Sequence, residues 1–188
     1  GAVYEYNLDG TTKSITYENG AKEEYVYNAD KTLQKLTNTY GEVVEEYYYT
    51  YDNNKNIIRK TEKGKLFAYT YDALNRIKTI SEITITPNEE GIEEETSVLL
   101  TTYSYDKVGN RIKEVSGNTV KEYTYDKRSS LLKIIEKEND VITKTIDYTY
   151  DNNGNELTET VNNEVVVTNT YNSKNELIKT VSDKEVNY

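Results

Sequence analysis

The segment that decides the fold runs from Asn56 to Asp72 and reads Asn-Ile-Ile-Arg-Lys-Thr-Glu-Lys-Gly-Lys-Leu-Phe-Ala-Tyr-Thr-Tyr-Asp. Its centre, Lys63-Gly64, is a turn signal because glycine adopts positive φ at no steric cost. The runs on both sides are rich in β-branched and aromatic residues, which favour a pleated strand. Side chains alternate along a strand, so Tyr69 and Tyr71 share one face and Thr70 takes the other. The segment is therefore predicted to be a β-hairpin.

The end of this segment, Tyr-x-Tyr-Asp or a close relative of it, returns along the whole chain. Eight copies occur, and their second tyrosines are 21, 24, 20, 34, 20, 25 and 21 residues apart. This spacing is typical of a repeat architecture, in which each unit buries its apolar surface against its neighbours. The sequence thus predicts an all-β fold of stacked antiparallel β-hairpins that form a long, twisted, curved open sheet. We assign a structural role to these signature residues: Tyr49, Tyr51, Asp52, Tyr69, Tyr71, Asp72, Tyr103, Tyr105, Asp106, Tyr123, Tyr125, Asp126, Tyr148, Tyr150 and Asp151.

A polar turn follows each copy and begins at its aspartate or asparagine. Asp and Asn side chains bond to the backbone two residues on, and Asn and Gly tolerate the left-handed region. The fourth turn residue varies, being Gly109, Gly154, Lys55, Asn75 or Ser129. Two aliphatic residues three positions apart then open the next strand, as at Leu33 and Leu36, Ile77 and Ile80, Ile112 and Val115, and Leu132 and Ile135. A spacing of three puts them on opposite faces unless a bulge intervenes, so their faces stay open.

One spacing, of 34 residues, interrupts the period. It contains an acidic segment from Thr86 to Glu95 that includes the only proline, Pro87. Repeat arrays tolerate insertions best at a hairpin tip, so we predict a longer hairpin loop near residues 86–97. The chain is otherwise expected to be a single array of about eight repeats over residues 1–188. Because Val186-Asn187-Tyr188 resembles the start of another Tyr-x-Tyr unit, we expect a slice of a longer array.

Composition narrows the classes of partner. The net charge is −10, from 23 basic and 33 acidic residues, whereas nucleic acids and anionic membranes require a clustered positive surface. No stretch approaches the roughly 20 apolar residues of a membrane span. Cysteine is absent, which leaves the compartment open. With 20 tyrosines, one phenylalanine and no tryptophan, tyrosine takes the apolar role and keeps its hydroxyl at a wet edge.

The stretch from Tyr103 to Ile112, Tyr-Ser-Tyr-Asp-Lys-Val-Gly-Asn-Arg-Ile, resembles the YD repeat of the Rhs family. The resemblance extends over essentially the whole chain, with Asn7, Asn28 and Asn172 in place of the aspartate. It implies a β-hairpin ribbon that spirals into a large hollow shell in full-length members. Such shells occur in bacterial polymorphic toxins, wall-associated proteins, insecticidal toxin complexes and teneurins, and in the toxins they enclose a C-terminal effector.

The resemblance also implies a function. The chain is expected to be a non-catalytic scaffold segment of a large exported bacterial protein, extracellular or associated with the cell wall. Its partners are then the remaining repeats of the parent protein.

The residues present offer little for catalysis. Histidine and cysteine are absent, so most nucleophilic constellations are excluded. Carboxylates adjoin at Glu45-Glu46 and Glu93-Glu94-Glu95, but neighbouring residues of a strand point to opposite faces and a charge run is usually solvated. We expect no catalytic residues and no cofactor.

Calcium is the metal to consider. The turns 52–56 and 151–155 carry oxygen ligands at alternate positions, yet no bidentate glutamate stands at the twelfth position. Capping of tight turns by Asp and Asn explains every copy, including those with Lys or Arg. We therefore expect no metal site.

Two alternatives stay open. Columns of Tyr71, Tyr105, Tyr125 and Tyr150 could form a carbohydrate- or cell-surface-binding platform, unless these rings pack against neighbouring Leu and Ile. Exposed strand edges could also pair with another copy, giving edge-mediated self-association.

Overall fold

A computed structural model describes residues 1–182. These residues contain 16 β-strands and no α-helix. Each strand is hydrogen-bonded and antiparallel to its neighbours in the chain, so strand order follows chain order. The predicted all-β fold of consecutive antiparallel hairpins is confirmed. The Val186-Asn187-Tyr188 segment lies outside the described residues.

The first of two compact units covers Gly1–Leu100. Its strands are β1 (Ala2–Tyr6), β2 (Thr12–Tyr17), β3 (Lys22–Tyr27), β4 (Leu33–Tyr40), β5 (Val43–Tyr51), β6 (Ile57–Glu62), β7 (Lys65–Tyr71), β8 (Ile77–Pro87) and the first part of β9 (Glu93–Tyr105).

The second unit begins at Thr101, within β9. Its further strands are β10 (Arg111–Ser116), β11 (Thr119–Tyr125), β12 (Leu131–Glu138), β13 (Val141–Tyr150), β14 (Glu156–Val161), β15 (Glu164–Tyr171) and β16 (Leu177–Ser182). That residues 1–188 form a single array stays a prediction. Within residues 1–182 no helix has the length and apolarity of a membrane span.

Two-residue turns join the strands of most hairpins. Lys63 and Gly64 have φ of 50° and 74°. In the pairs 139–140 and 162–163 the φ angle is likewise positive at both residues. Positive φ at both central residues defines the type I′ turn, whose twist matches that of the flanking strands. The predicted hairpin turn at Lys63-Gly64 is confirmed.

A one-residue register shift at the second tyrosine explains the aliphatic spacing of three. In β7 and β8, Tyr69 lies opposite Ile80, whereas Tyr71 lies opposite Ile77. The bulge inserts one extra residue into β8, so both isoleucines stand opposite a tyrosine. In the same way, Leu36 lies opposite Tyr25 and Leu33 lies opposite Tyr27 of β3.

In two other repeats the aliphatic pair lies one residue away from the positions opposite the tyrosines. The residues opposite Tyr105 and Tyr103 are Arg111 and Glu114, not Ile112 and Val115. In the next repeat they are Leu131 and Ile134, not Leu132 and Ile135. In the second of these repeats the doublets Leu131-Leu132 and Ile134-Ile135 conceal the phase of the bulge, whereas in the first the two positions hold charged residues.

The predicted long loop near residues 86–97 is wrong in extent. β8 continues to Pro87 and β9 starts at Glu93, so the insertion mainly lengthens two strands. Asn88 accepts bonds at its Oδ1 from the backbone nitrogens of Glu90 (3.0 Å) and Ile92 (3.0 Å). Gly91 takes a φ of 78°. The tip is therefore another Asx-type turn rather than an irregular loop.

The sheet has almost no conventional core. Among residues 1–182, the buried apolar side chains are Ile83 and Ile146, and the buried polar one is Ser14. Most other strand residues are half-buried or exposed. Bonds between neighbouring strands must therefore supply most of the order, as expected where each unit touches only its neighbours.

Backbone strain in one turn gives a testable expectation. Ser129 holds a φ of 67°, in the left-handed region that disfavours residues with a Cβ. We expect Ser129→Gly to raise the free energy of unfolding by roughly 1 kcal/mol, measured by urea denaturation. Lys127→Gly in the same turn is the control and should lower it by about 0.5 kcal/mol, because that position gains only chain entropy in the unfolded state. A loss of stability in Ser129→Gly would contradict the expectation.

Candidate functional site: the signature residues

The second tyrosine of the signature closes the open end of its hairpin. The ladder of paired residues between β4 and β5 ends at Lys35 and Tyr48. Beyond that point the Tyr51 hydroxyl donates to the carbonyl of Leu33, the first residue of β4, at 2.8 Å. We call this bond the tyrosine latch. It recurs from Tyr71 to Ile57 (2.7 Å), from Tyr125 to Arg111 (3.0 Å) and from Tyr150 to Leu131 (2.8 Å).

Each latch ties three consecutive strands together. Tyr51 belongs to β5, its backbone pairs forward with Ile57 of β6, and its hydroxyl reaches back to Leu33 of β4. The Leu33 carbonyl lies beyond the last paired residues of the β4–β5 ladder, where the backbone of Tyr51 already pairs with β6. The hydroxyl supplies the donor that this carbonyl requires.

The first tyrosines of the signature lie half-buried on the same face. Tyr103 and Tyr123 flank the guanidinium of Arg111, whose Cζ lies 5.4 Å and 5.0 Å from the two ring centroids. Its Nη1 is 3.2 Å from a Glu114 carboxylate oxygen. Stacked arginine between aromatic rings is a favourable cation–π arrangement. The signature residues Tyr49, Tyr69, Tyr105 and Tyr148 are also half-buried.

Burial raises the pKa of the latch tyrosines Tyr51, Tyr71, Tyr125 and Tyr150. Because the folded pKa lies above the unfolded value of about 10, the neutral hydroxyl is the form that stabilises the fold. This contribution is complete below pH 10 and is lost as the pH rises through the folded pKa. A phenolate cannot donate, so deprotonation also breaks the latch.

We therefore expect the urea midpoint to fall as the pH rises above about 10. The matched control is the double variant Tyr125→Phe/Tyr150→Phe, which retains every lysine and therefore every other alkaline effect. Its midpoint should fall less steeply than that of the parent chain. Parallel curves for the two proteins would show that the latches play no part in alkaline unfolding.

The signature aspartates organise the turns. Asp52 accepts at Oδ1 from the backbone nitrogens of Asn54 (2.8 Å) and Asn56 (2.9 Å), and at Oδ2 from the Asn56 side chain (2.9 Å). Equivalent bonds form at Asp72, Asp106, Asp126 and Asp151. The side-chain bond from the residue four positions on lowers the pKa of Asp52, Asp72 and Asp151. These carboxylates therefore act as turn caps.

Two turn caps stand where the sequence reasoning did not place them. In the copies that begin with Asn7 and Asn28, the caps are Asp9 and Asp30, which accept from Thr11 and Thr32 respectively (both N···O 3.1 Å). The sequence signal is the Asn-x-Asp pattern, which moves the carboxylate two residues along the turn. Asn172 caps its own turn from the usual position, accepting from Lys174 at 2.9 Å.

Neighbouring turns are also bonded to each other along one edge, which the sequence did not reveal. Asn75 Oδ1 accepts from the side chains of Asn54 (3.1 Å) and Asn56 (2.9 Å). Asn175 accepts likewise from Asn153 (2.8 Å) and Asn155 (3.1 Å). Elsewhere a cation makes the link, from Lys31 to the Asp9 carbonyl, from Lys55 to that of Asp30 and from Arg128 to that of Asn152.

The adjacent carboxylates considered for catalysis lie apart. Glu45 accepts from the Tyr47 hydroxyl at 2.9 Å, whereas Glu46 pairs with Lys35 at 2.5 Å. Glu95 pairs with Arg59 at 2.8 Å. Among residues 1–182, no group of three or more Asp, Glu, His or Cys side chains converges as a metal site.

An array of hairpins joined by tyrosine latches and aspartate-capped turns defines a YD-repeat scaffold. No family model matches the chain. A curated relative, the tRNA nuclease WapA of Bacillus subtilis (strain 168), is 32% identical over 146 residues, which cover 72% of this chain and 6% of WapA. The chain belongs to the Rhs/YD-repeat family.

Two solved structures share the fold. The crystal structure of TcdB2-TccC3-Cdc42 matches with a TM-score of 0.70 and 17% identity, over 95% of this chain and 10% of that one. The crystal structure of TcdB2-TccC3 matches with a TM-score of 0.60 and 18% identity, over 94% of this chain and 9% of that one. The chain therefore spans a tenth or less of the length of each of these three proteins.

Proposed function

We propose that this chain is a non-catalytic scaffold segment that builds part of the β-sheet shell of a large exported Rhs/YD-repeat protein. The observation that carries the proposal is the use of the signature residues. The latch hydroxyls and the capping carboxylates are engaged by the backbone of the same or neighbouring strands. Side chains committed to backbone bonds in repeat after repeat serve the array rather than a ligand.

The family supports a location outside the cell or at the cell wall, with the remaining repeats as partners. The matched part is 6% of WapA, a protein named for its tRNA nuclease activity. We infer that any such activity of a parent protein resides outside this segment. In support, the chain contains no histidine or cysteine, and its signature carboxylates cap turns.

A nuclease assay tests the non-catalytic part of the proposal. The purified chain is incubated with total tRNA, with and without magnesium, and the RNA is followed by gel electrophoresis. We expect the tRNA to remain intact. Cleavage that co-purifies with the chain and disappears on a single carboxylate-to-amide substitution would overturn the proposal.

A second candidate is a carbohydrate- or cell-surface-binding module. It is favoured by tyrosines outside the latches, since Tyr40 is 65% exposed and Tyr48 44% exposed. A glycan array screened with the chain and with the double variant Tyr40→Ala/Tyr48→Ala distinguishes the candidates. A glycan that binds the chain but not the variant would support the binding module. If no glycan binds the chain, the scaffold role is the one supported.

A further inference from the structure

A groove on the tyrosine face of the first unit combines an apolar rim with two glutamates. Tyr17, Tyr40 and Val43 form its apolar rim. Across its floor, Glu23 of β3, Asn38 of β4 and Glu45 of β5 lie directly opposite one another. Their side chains project from the same face, because cross-strand partners do so. We call them the Glu23–Asn38–Glu45 row.

The two carboxylates of the row accept hydrogen bonds from neutral tyrosine hydroxyls. Glu23 accepts from the Tyr17 hydroxyl at 2.9 Å and from the Tyr25 hydroxyl. The Asn38 amide oxygen is buried and has no hydrogen-bond partner within residues 1–182. A buried acceptor without a donor is costly and calls for an explanation.

The cation nearest in sequence does not serve the row. Lys22, which lies at the groove, bonds to Glu24 at 2.6 Å. Its strand position alternates with that of Glu23, so it projects from the other face. The two carboxylates of the row are therefore left without a counter-charge from β3.

A row at the equivalent positions of the second unit carries alternating charges. In the first unit the row lies two residues beyond the pair of Tyr25 and Leu36, and in the second unit two residues beyond the pair of Tyr123 and Ile134. There Lys121, Glu136 and Lys144 stand opposite one another, and Lys121 Nζ is 3.4 Å from a Glu136 oxygen. Positive and negative charges alternate in that row, whereas the first unit has two negative charges around an amide.

The same face already holds a guanidinium elsewhere. Arg111 lies between the rings of Tyr103 and Tyr123 and beside the carboxylate of Glu114. The groove offers the same elements, namely two tyrosines at its rim and glutamates at its floor. A planar, weakly hydrated cation suits such a rim better than a hydrated metal ion does.

We propose that this groove binds an arginine side chain of a partner polypeptide. The guanidinium lies between Glu23 and Glu45, with Tyr17 and Tyr40 beside it, and the Asn38 amide turns to accept one of its N–H groups. Guanidinium and carboxylate form strong charge-assisted hydrogen bonds. The inference is independent of the scaffold role, since it concerns a groove that the latches and turns do not use.

The test is an NMR titration of the full chain with the peptide acetyl-Gly-Arg-Gly-amide. We expect saturable shifts of the Asn38 side-chain amide and of the Tyr17 and Tyr40 rings. The double variant Glu23→Gln/Glu45→Gln should weaken binding at least about tenfold, because both charged acceptors are lost. The charge-matched control Glu42→Gln/Glu164→Gln alters an exposed turn residue and the exposed first residue of β15, and it should leave binding nearly unchanged.

A second variant keeps the proposal testable if the first does not fold. Asn38→Lys restores alternating charge and should abolish peptide binding while raising the melting temperature. The same peptide with citrulline in place of arginine lacks the positive charge. Equal shifts with that peptide would overturn the proposal, and so would the absence of any saturable shift. So would saturation by calcium chloride alone without any response to the peptide, which would assign the groove to a metal instead.

Discussion

Replacing Ile146 with alanine should lower the free energy of unfolding by about 3 kcal/mol. Ile146 is one of two buried apolar side chains within residues 1–182, at 8% exposure. It lies opposite Ile134 on one neighbouring strand and Val161 on the other. Truncation removes the contacts with both, and a hydrogen-bonded sheet cannot collapse to fill the space. Urea denaturation followed by far-UV circular dichroism measures the loss.

The same strand provides the control. Ile142 is 56% exposed, so Ile142→Ala should cost less than about 1 kcal/mol. Equal losses at the two positions would mean that burial at Ile146 does not decide stability. That result would contradict the picture of a few buried contacts reinforcing a mainly hydrogen-bonded array.

Removing two latches of the second unit together, in Tyr125→Phe/Tyr150→Phe, should lower the free energy of unfolding by about 2 kcal/mol. Each substitution deletes only a hydroxyl and so leaves the ring packing in place. The carbonyls of Arg111 and Leu131 then lose their donors, and one hydrogen bond contributes about 1 kcal/mol. Urea denaturation monitored by tyrosine fluorescence and circular dichroism measures the change.

Tyr148→Phe is the matched control, because Tyr148 belongs to the same signature as Tyr150 but makes no latch. Removal of the Tyr148 hydroxyl should change the free energy of unfolding by less than about 0.5 kcal/mol. The single variants Tyr125→Phe and Tyr150→Phe should each lower it by about 1 kcal/mol, because each loses one hydrogen bond. A loss in Tyr148→Phe as large as that in Tyr150→Phe would show that the latch bond is not the cause.

Tyrosine suits this scaffold because it serves two needs at once. A two-sided sheet offers little depth for burial, so a side chain must cover its neighbours with a ring and remain compatible with water at the tip. In the latch residues that tip also satisfies a carbonyl where the ladder ends. Phenylalanine would provide the ring alone, which accounts for a chain with 20 tyrosines and one phenylalanine.

Periodicity alone was sufficient to predict the hairpins and the turns. Strand alternation, the Lys63-Gly64 turn and the Asp-Asn connections are local properties, determined by φ preferences and short side-chain-to-backbone bonds. The spacing of the signature predicted the repeat for the same reason. Local chemistry of this kind is readable from neighbouring residues without knowledge of the fold.

The tertiary structure decided what depends on residues brought together across strands. It revealed that the bulge phase places Arg111 and Glu114 opposite tyrosines, and that the segment near 86–97 lengthens two strands. The latches and the unbalanced Glu23–Asn38–Glu45 row likewise appear only when register is known. A shift of one residue changes which side chains meet, and the sequence does not specify where the bulges fall.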